Sequence, residues 1–256
     1  MLGPEEIAET AVKVSEKKAN LKWWKMLLLG MFAGAFIALA GVGATFANVY
    51  VGKLAGACVF PAGLAMVVIA GSELFTGNNL MITGLFSGKI RLSAMLKNWG
   101  LVFVGNLIGA LIVTVLVVYS GVFDSIADKV IATANMKVGM GFFEAMLRGV
   151  LCNFLVCIAV WMAFGAKTVG GKIAAVFFPI MLFVLCGFEH SVANMFYVPA
   201  GMMMSGFTDL AGPSIAGFLV GNLLPVTIGN IIGGGIMVGG GYYLCFLHKK
   251  KVVENC

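Results

Sequence analysis

Apolar residues run almost unbroken along this chain for long stretches, and polar residues gather at the ends of those stretches instead of alternating within them. Neither the period of two that marks a half-buried strand nor the 3.6 period of a surface helix dominates. Such runs cover 26–51, about 98–123, about 138–166 and about 214–247. Two further runs are interrupted. One extends from about 54 to 87 and is broken by GSELFTGNN at 71–79; the other extends from about 173 to 205 and is broken by GFEHSVAN at 187–194. At 1.5 Å per residue, each uninterrupted run can cross a hydrocarbon core roughly 30 Å thick. The pattern predicts an all-α integral membrane protein with six transmembrane helices, the second and fifth of them broken.

Residues 4–19 follow a different pattern. Pro4 suits a first helical turn, and Glu5, Glu6 and Glu9 suit the positive end of a helix dipole. Ile7, Ala11 and Val14 share one face, while Lys13, Glu16 and Lys17 point elsewhere, so a short amphipathic helix at the membrane surface is expected. The acidic start and the late onset of the first apolar run do not read as a signal peptide. The expected organisation is an N-terminal cytoplasmic helix in 1–22, a six-span channel domain in 23–247 and a basic cytoplasmic tail in 248–256.

Composition sharpens the class. The chain is 61% hydrophobic and 11% charged, against about 25% charged residues in soluble domains. The net charge of +6 does not indicate nucleic acid, because the basic residues cluster at the ends of apolar runs. With both termini inside, the inner segments hold thirteen Lys and Arg residues and the outer segments three, Lys53, Lys129 and Lys137, with Arg148 in or near the fourth span. That asymmetry places both termini in the cytoplasm. Six cysteines form no CxxC pair and read as small buried side chains.

The two interruptions match each other. Gly71, Glu73 and Asn78 in the first correspond to Gly187, Glu189 and Asn194 in the second, as G-x-E-x-x-x-x-N, and each follows an FP pair. Further on, Gly105-Asn106 with Gly109 matches Gly229-Asn230 with Gly233. The glutamates are offset by 116 residues and the asparagines by 124. Two motifs in the same order indicate duplication, with repeat A in 23–123 and repeat B in 138–247. Each half has three spans, so the halves must be inserted with opposite orientation. Inverted repeats with broken helices in corresponding places are a transport architecture, and irregular backbone at membrane depth survives only when buried in protein or lining a polar cavity.

Individual residues then separate by chemistry. Glu73 and Glu189 are expected either to cap the freed backbone of their own helices or to touch substrate. His190 has no counterpart in the first half, where Leu74 takes its place, and two ring nitrogens in a helix break suit hydrogen bonding to an anion. Thr76, in the facing loop, either bonds backbone or reaches His190 or a passing ion. Bulky Phe60, Leu64, Leu74, Phe75 and Phe183 flank the loops as ordinary packing or as hydrophobic gates. Asn106, Asn153, Asn222 and Asn230 are expected to bond between helices. Lys137 is either a solvated loop lysine or part of a basic vestibule. No phosphate-binding loop of the G-x-x-x-x-G-K-[ST] kind is present, so ATP-driven transport is not indicated, and a single intramembrane histidine cannot ligate a bis-histidine haem.

GSELFTGN, KNWGLVFVGNLIGA (97–110), RGVLCNFLVCIAVWM (148–162), GFEHSVANMFYVPAGM (187–202) and NLLPVTIGNIIGGG (222–235) resemble the signature stretches of the formate/nitrite transporter family. The resemblance implies an aquaporin-like fold in a prokaryotic cell (inner) membrane, a homopentamer with one pore per protomer, and passage of formate, nitrite or hydrosulfide with no cofactor and no catalysis. Carried over by motif, His190 is the central pore histidine and Thr76 faces it. Lys137 takes the place of the vestibule lysine, Glu189 and Asn194 complete the second loop, and Phe60, Leu64, Leu74, Phe75, Val156 and Phe183 fall on the constriction. The N-terminal helix takes the place of the family's gate at the inner mouth, and protons join the anion as partners if His190 shares one. An aquaporin-like pore for small neutral solutes is the alternative, and a membrane-embedded enzyme a more remote one.

Overall fold

The computed structural model describes residues 1–248. The regular structure among its described residues is helical, and six helices are long and apolar enough to cross a membrane: Trp23–Tyr50, Lys53–Ala70, Leu92–Tyr119, Phe142–Gly165, Val169–Cys186 and Gly217–Phe246. The chain is a multi-pass membrane protein. Short helices join them, and the set is numbered here in chain order. Helix α1 is Pro4–Ala19, α2 Trp23–Tyr50, α3 Lys53–Val59, α4 Pro61–Ala70, α5 Phe75–Asn78, α6 Ile82–Phe86 and α7 Leu92–Tyr119. Helix α8 is Ala127–Val138, α9 Phe142–Gly165, α10 Val169–Cys186 and α11 Ser191–Met204. Within the last span, α12 is Leu224–Asn230 and α13 Gly241–Phe246, with π-helical turns over Gly217–Leu223 and Ile231–Gly240.

Both interruptions are real stops in the helical backbone. Helix α4 ends on Gly71 at φ 80° and α10 on Gly187 at φ 73°. That left-handed turn is one that a residue with a Cβ adopts only under strain. Helical structure resumes at Phe75 and at Ser191. Freed backbone groups at this depth need partners, and asparagines from α7 and α12 provide them. Asn106 Oδ1 accepts from Phe75 N at 2.9 Å, and Asn106 Nδ2 donates to the carbonyls of Gly30 and Glu73. Asn230 does the same for Ser191 N, Gly149 O and Glu189 O, at matching lengths. The interhelical bonding expected of Asn106 and Asn230 is what the structure contains. The carboxylates of Glu73 and Glu189, by contrast, do not cap backbone.

Helix pairs approach closely where side chains are absent. A Cβ on Gly109 would collide with the Met31 carbonyl of α2, and one on Gly233 with the Val150 carbonyl of α9. Among lipid tails, where apolar burial gives helices no drive to associate, such small-residue contacts and interhelical hydrogen bonds hold the bundle.

Three elements differ from the sequence expectation. Helix α1 packs on protein: Ile7, Ala8, Ala11 and Val12 are buried against Leu80, Cys157, Trp161, Val238 and Tyr243. Its Ser15 lies on Gly84, where a Cβ would collide with it. The fourth span starts at Phe142, not near 138, because residues 127–138 form the separate helix α8. This helix buries Val130, Ile131, Ala134 and Lys137 and packs on α11. The third span starts at Leu92, not near 98, since Arg91 already serves as its cap residue.

Candidate substrate pathway

Two cavities enter the bundle from opposite ends. One, of about 480 Å³, lies beneath α1 and is lined by Lys17, Lys18, Leu64, Glu73, Leu74 and Lys172 among others. The second, of about 810 Å³, is lined by Lys53, Phe60, Lys129, Lys137, Arg148, Phe183, Glu189 and His190 among others. Leu29 of α2 lines the first and Asn48 the second. At 1.5 Å per residue those positions are about 29 Å apart, close to the thickness of a hydrocarbon core. The floor between the cavities is thin. Phe60 faces one and Leu64, one helical turn later, faces the other.

At that floor the two elbows are bonded to each other: Thr76 Oγ1 and His190 Nε2 are 2.9 Å apart and buried. The histidine is also the cap residue of α11, because Ala193 N donates to its Nδ1 at 3.0 Å. A ring nitrogen that accepts a backbone N–H leaves the imidazole's proton on the other nitrogen. Nε2 therefore donates, and Thr76 accepts. The Phe183 ring stacks on the imidazole with centroids 5.9 Å apart, and Phe60 meets Phe183 edge-on at 5.7 Å. An imidazole N–H thus sits at the base of a cavity walled by aromatic faces.

Each elbow carries a carboxylate tied into a closed network. Glu73 accepts from Lys18 Nζ at 2.8 Å and from Asn78 Nδ2 at 2.7 Å. Asn78 also donates to Asn98 Oδ1, and Asn98 Nδ2 donates back to the Lys18 carbonyl. On the other side Glu189 accepts from Lys137 Nζ at 2.8 Å and from Asn194 Nδ2 at 2.6 Å. Asn194 donates to Asn222 Oδ1, and Asn222 Nδ2 donates to the Lys137 carbonyl. The networks differ in depth. Side-chain exposure is 19% and 7% for Lys18 and Glu73, but 10% and 2% for Lys137 and Glu189. Lys137 also lies over the Tyr197 ring, 5.3 Å from its centroid. It is not a solvated loop lysine: it lines the second cavity and is paired there with Glu189.

The expected site residues are therefore only partly brought together. His190, Thr76, Glu189, Asn194 and Lys137 meet around one elbow, and Phe60 and Phe183 wall its cavity. Leu64 and Leu74 line the other cavity. Phe75 and Val156 line neither of the two. The Phe75 ring packs edge-on against Trp99 and Phe103, and Val156 is buried in the core. Lys18 and Asn98 are the residues sequence reasoning passed over. Asn98 precedes Asn222 by the same 124 residues that separate Asn106 from Asn230, a signal that was available. Lys18 was hidden among five basic residues in thirteen positions.

Two cavities that enter a bundle of six membrane-crossing helices from opposite ends define a channel or transporter architecture. The formate/nitrite transporter family matches residues 5–244, and the chain belongs to that family. It is 42% identical over 261 residues to the Bacillus subtilis transporter YrhG, covering 96% of this chain and 94% of that protein. It is 38% identical over 262 residues to the formate channel FocA of Haemophilus influenzae, covering 93% and 92%. A solved pentameric formate channel with formate bound superposes with a TM-score of 0.77 at 34% identity, covering 88% of this chain and 98% of that one.

Proposed function

We propose that this protein passes small monovalent anions, formate first among them and nitrite or hydrosulfide by the same route, through a pore within each protomer of a homopentamer. The observation that carries this reading is the Thr76–His190 bond, whose Nε2–H lies at the floor of a cavity whose wall carries Lys53, Lys129 and Arg148. The relatives named as formate channels supply the substrate class. Basic walls raise the local anion concentration. The aromatic and leucine floor, formed by Phe60, Phe183, Leu64 and Leu74, disfavours a hydrated ion, so the anion sheds water there and accepts the His190 N–H that Thr76 otherwise takes. Glu73 and Glu189, neutralised by Lys18 and Lys137, hold the two elbows open without presenting net negative charge to the passing ion.

The matched hydrogen bonds of Asn106 and Asn230, and of the two lysine–glutamate networks, support reading the halves as inverted repeats. They extend each repeat by its leading helix, α1 for the first and α8 for the second. With the basic inner segments, both termini face the cytoplasm of a prokaryotic cell membrane. Helix α1 then closes the inner mouth as a movable plug.

Purified protein in liposomes tests this. Formate efflux exceeds glycerol efflux, and His190→Leu lowers formate flux by on the order of tenfold, equivalent to about 1.4 kcal/mol. Unchanged flux in that variant removes the imidazole from the pathway. Proton linkage is read in the same vesicles: co-passage of a proton shifts internal pH in step with formate, and passage of the bare anion does not.

A further inference from the structure

The two elbows are held alike but backed differently. In the first, Phe75 N donates to Asn106. Phe103, three residues before Asn106 and so on the same helix face, meets the Phe75 ring edge-on at 5.0 Å, with Trp99 at 6.1 Å. In the second, Ser191 N donates to Asn230 at the same 2.9 Å. Three residues before Asn230 is Thr227. Ser191 therefore stands where Phe75 stands, Thr227 where Phe103 stands, and Leu223 where Trp99 stands. Two rings in contact are exchanged for two hydroxyls.

Those hydroxyls are unusual for this protein. Ser191 is 0% exposed, and among the described residues neither Ser191 Oγ nor Thr227 Oγ1 has a hydrogen-bond partner, though both atoms are buried. Elsewhere a helical hydroxyl bonds the carbonyl one turn back, as Ser15, Thr45, Thr114 and Thr133 do. The carbonyl one turn before Thr227 belongs to Leu223, the last residue of a π-helical turn, where the carbonyl register is shifted. A buried hydroxyl left without a partner is destabilising, and a polar pocket with room takes up water where an apolar one stays dry.

We propose that Ser191 and Thr227 bind one ordered water molecule behind the His190 elbow. The site is a permanent hydration point one residue along the chain from the pore imidazole. The facing elbow, packed by Phe75, Trp99 and Phe103, is dry. The pore floor is therefore backed by water on the histidine side and by aromatic rings on the threonine side, an asymmetry that the matched backbone geometry conceals. The inference stands on the elbow geometry and does not depend on which anion is carried.

A structure of the assembled wild-type protein at a resolution that shows ordered water is the direct test. The expected result is a solvent peak within about 3 Å of both oxygens, present without added formate or nitrite and lost in Ser191→Ala. Hydroxyls bonded to each other or to backbone carbonyls with no solvent between them overturn the proposal, as does a peak that appears only with the anion. A double-mutant cycle gives a second reading through melting temperature in detergent. Ser191→Ala and Thr227→Val each orphan the remaining hydroxyl, whereas the double variant orphans none. The double variant is expected to lose less than the sum of the singles; additive losses overturn the shared water.

Discussion

At the scale of single residues, the threonine and histidine at the floor between the cavities act as a pair, but with unequal duties. His190 caps α11 and donates from Nε2; Thr76 only accepts. Thr76→Val keeps the shape and removes the acceptor, leaving a buried N–H without a partner, which costs about 1–3 kcal/mol. Thr76→Ser keeps the acceptor. Formate flux in liposomes is expected to be near wild type in the serine variant, and changed in the valine variant together with a lower melting temperature. Equal behaviour of the two would show that the hydroxyl does not matter. His190 was legible in the sequence because an imidazole inside an apolar run, at a helix break, has few purposes. Its role as a cap was not. Capping through Nδ1 depends on a backbone turn that side-chain pattern does not encode. Phe75 shows the same limit in reverse: it neighbours the break in sequence, yet its ring is turned toward Trp99 and Phe103.

At the scale of elements, the spans and their breaks were readable because bilayer thickness sets the length of an apolar run and glycine marks where a helix stops. Helix α8 was not readable as separate from α9. Only three residues, Gly139, Met140 and Gly141, lie between Val138 and Phe142, and with no charge among them the apolar run reads on from Val138 into α9. The close approaches between spans carry a prediction of their own. Gly109 on α7 and Gly233 in the last span sit against the backbone of α2 and α9. Gly109→Leu or Gly233→Leu would force the helices apart, and overpacking of this kind costs about 1–3 kcal/mol or more. Both variants are expected to lower the melting temperature of purified protein. Gly100→Leu, at a helix position with open space around the added Cβ, is expected to leave it unchanged. Similar losses at Gly100 and Gly109 would mean that close packing at Gly109 does not govern the effect, since helix propensity alone favours leucine over glycine at both positions.

At the scale of the whole molecule, the two lysine–glutamate networks tie a leading helix to each elbow, and their difference in burial decides which end yields first. Removing one partner from a buried ion pair leaves an uncompensated charge and costs about 3–5 kcal/mol. Lys137→Met should approach that range, since Glu189 is 2% exposed and Asn194 alone would remain on its carboxylate. Lys18→Met should cost less, because solvent reaches a fifth of the Lys18 side chain and screens the pair. The more exposed network belongs to α1, whose buried stripe of Ile7, Ala8, Ala11, Val12 and Ser15 has small side chains at three of its five positions. The end of the molecule that carries α1 is therefore expected to loosen before the other. Thermal unfolding of the two variants in detergent should place Lys18→Met nearer the wild type. Limited proteolysis of Lys18→Met should cut within residues 1–20 while the rest of the chain stays intact. The paired variants Lys18→Met/Glu73→Gln and Lys137→Met/Glu189→Gln each remove both charges, and each should recover part of the loss of the corresponding single variant. If Lys18→Met proved as damaging as Lys137→Met, α1 would be a fixed part of the bundle, and a mouth that opens by its release would have to be abandoned.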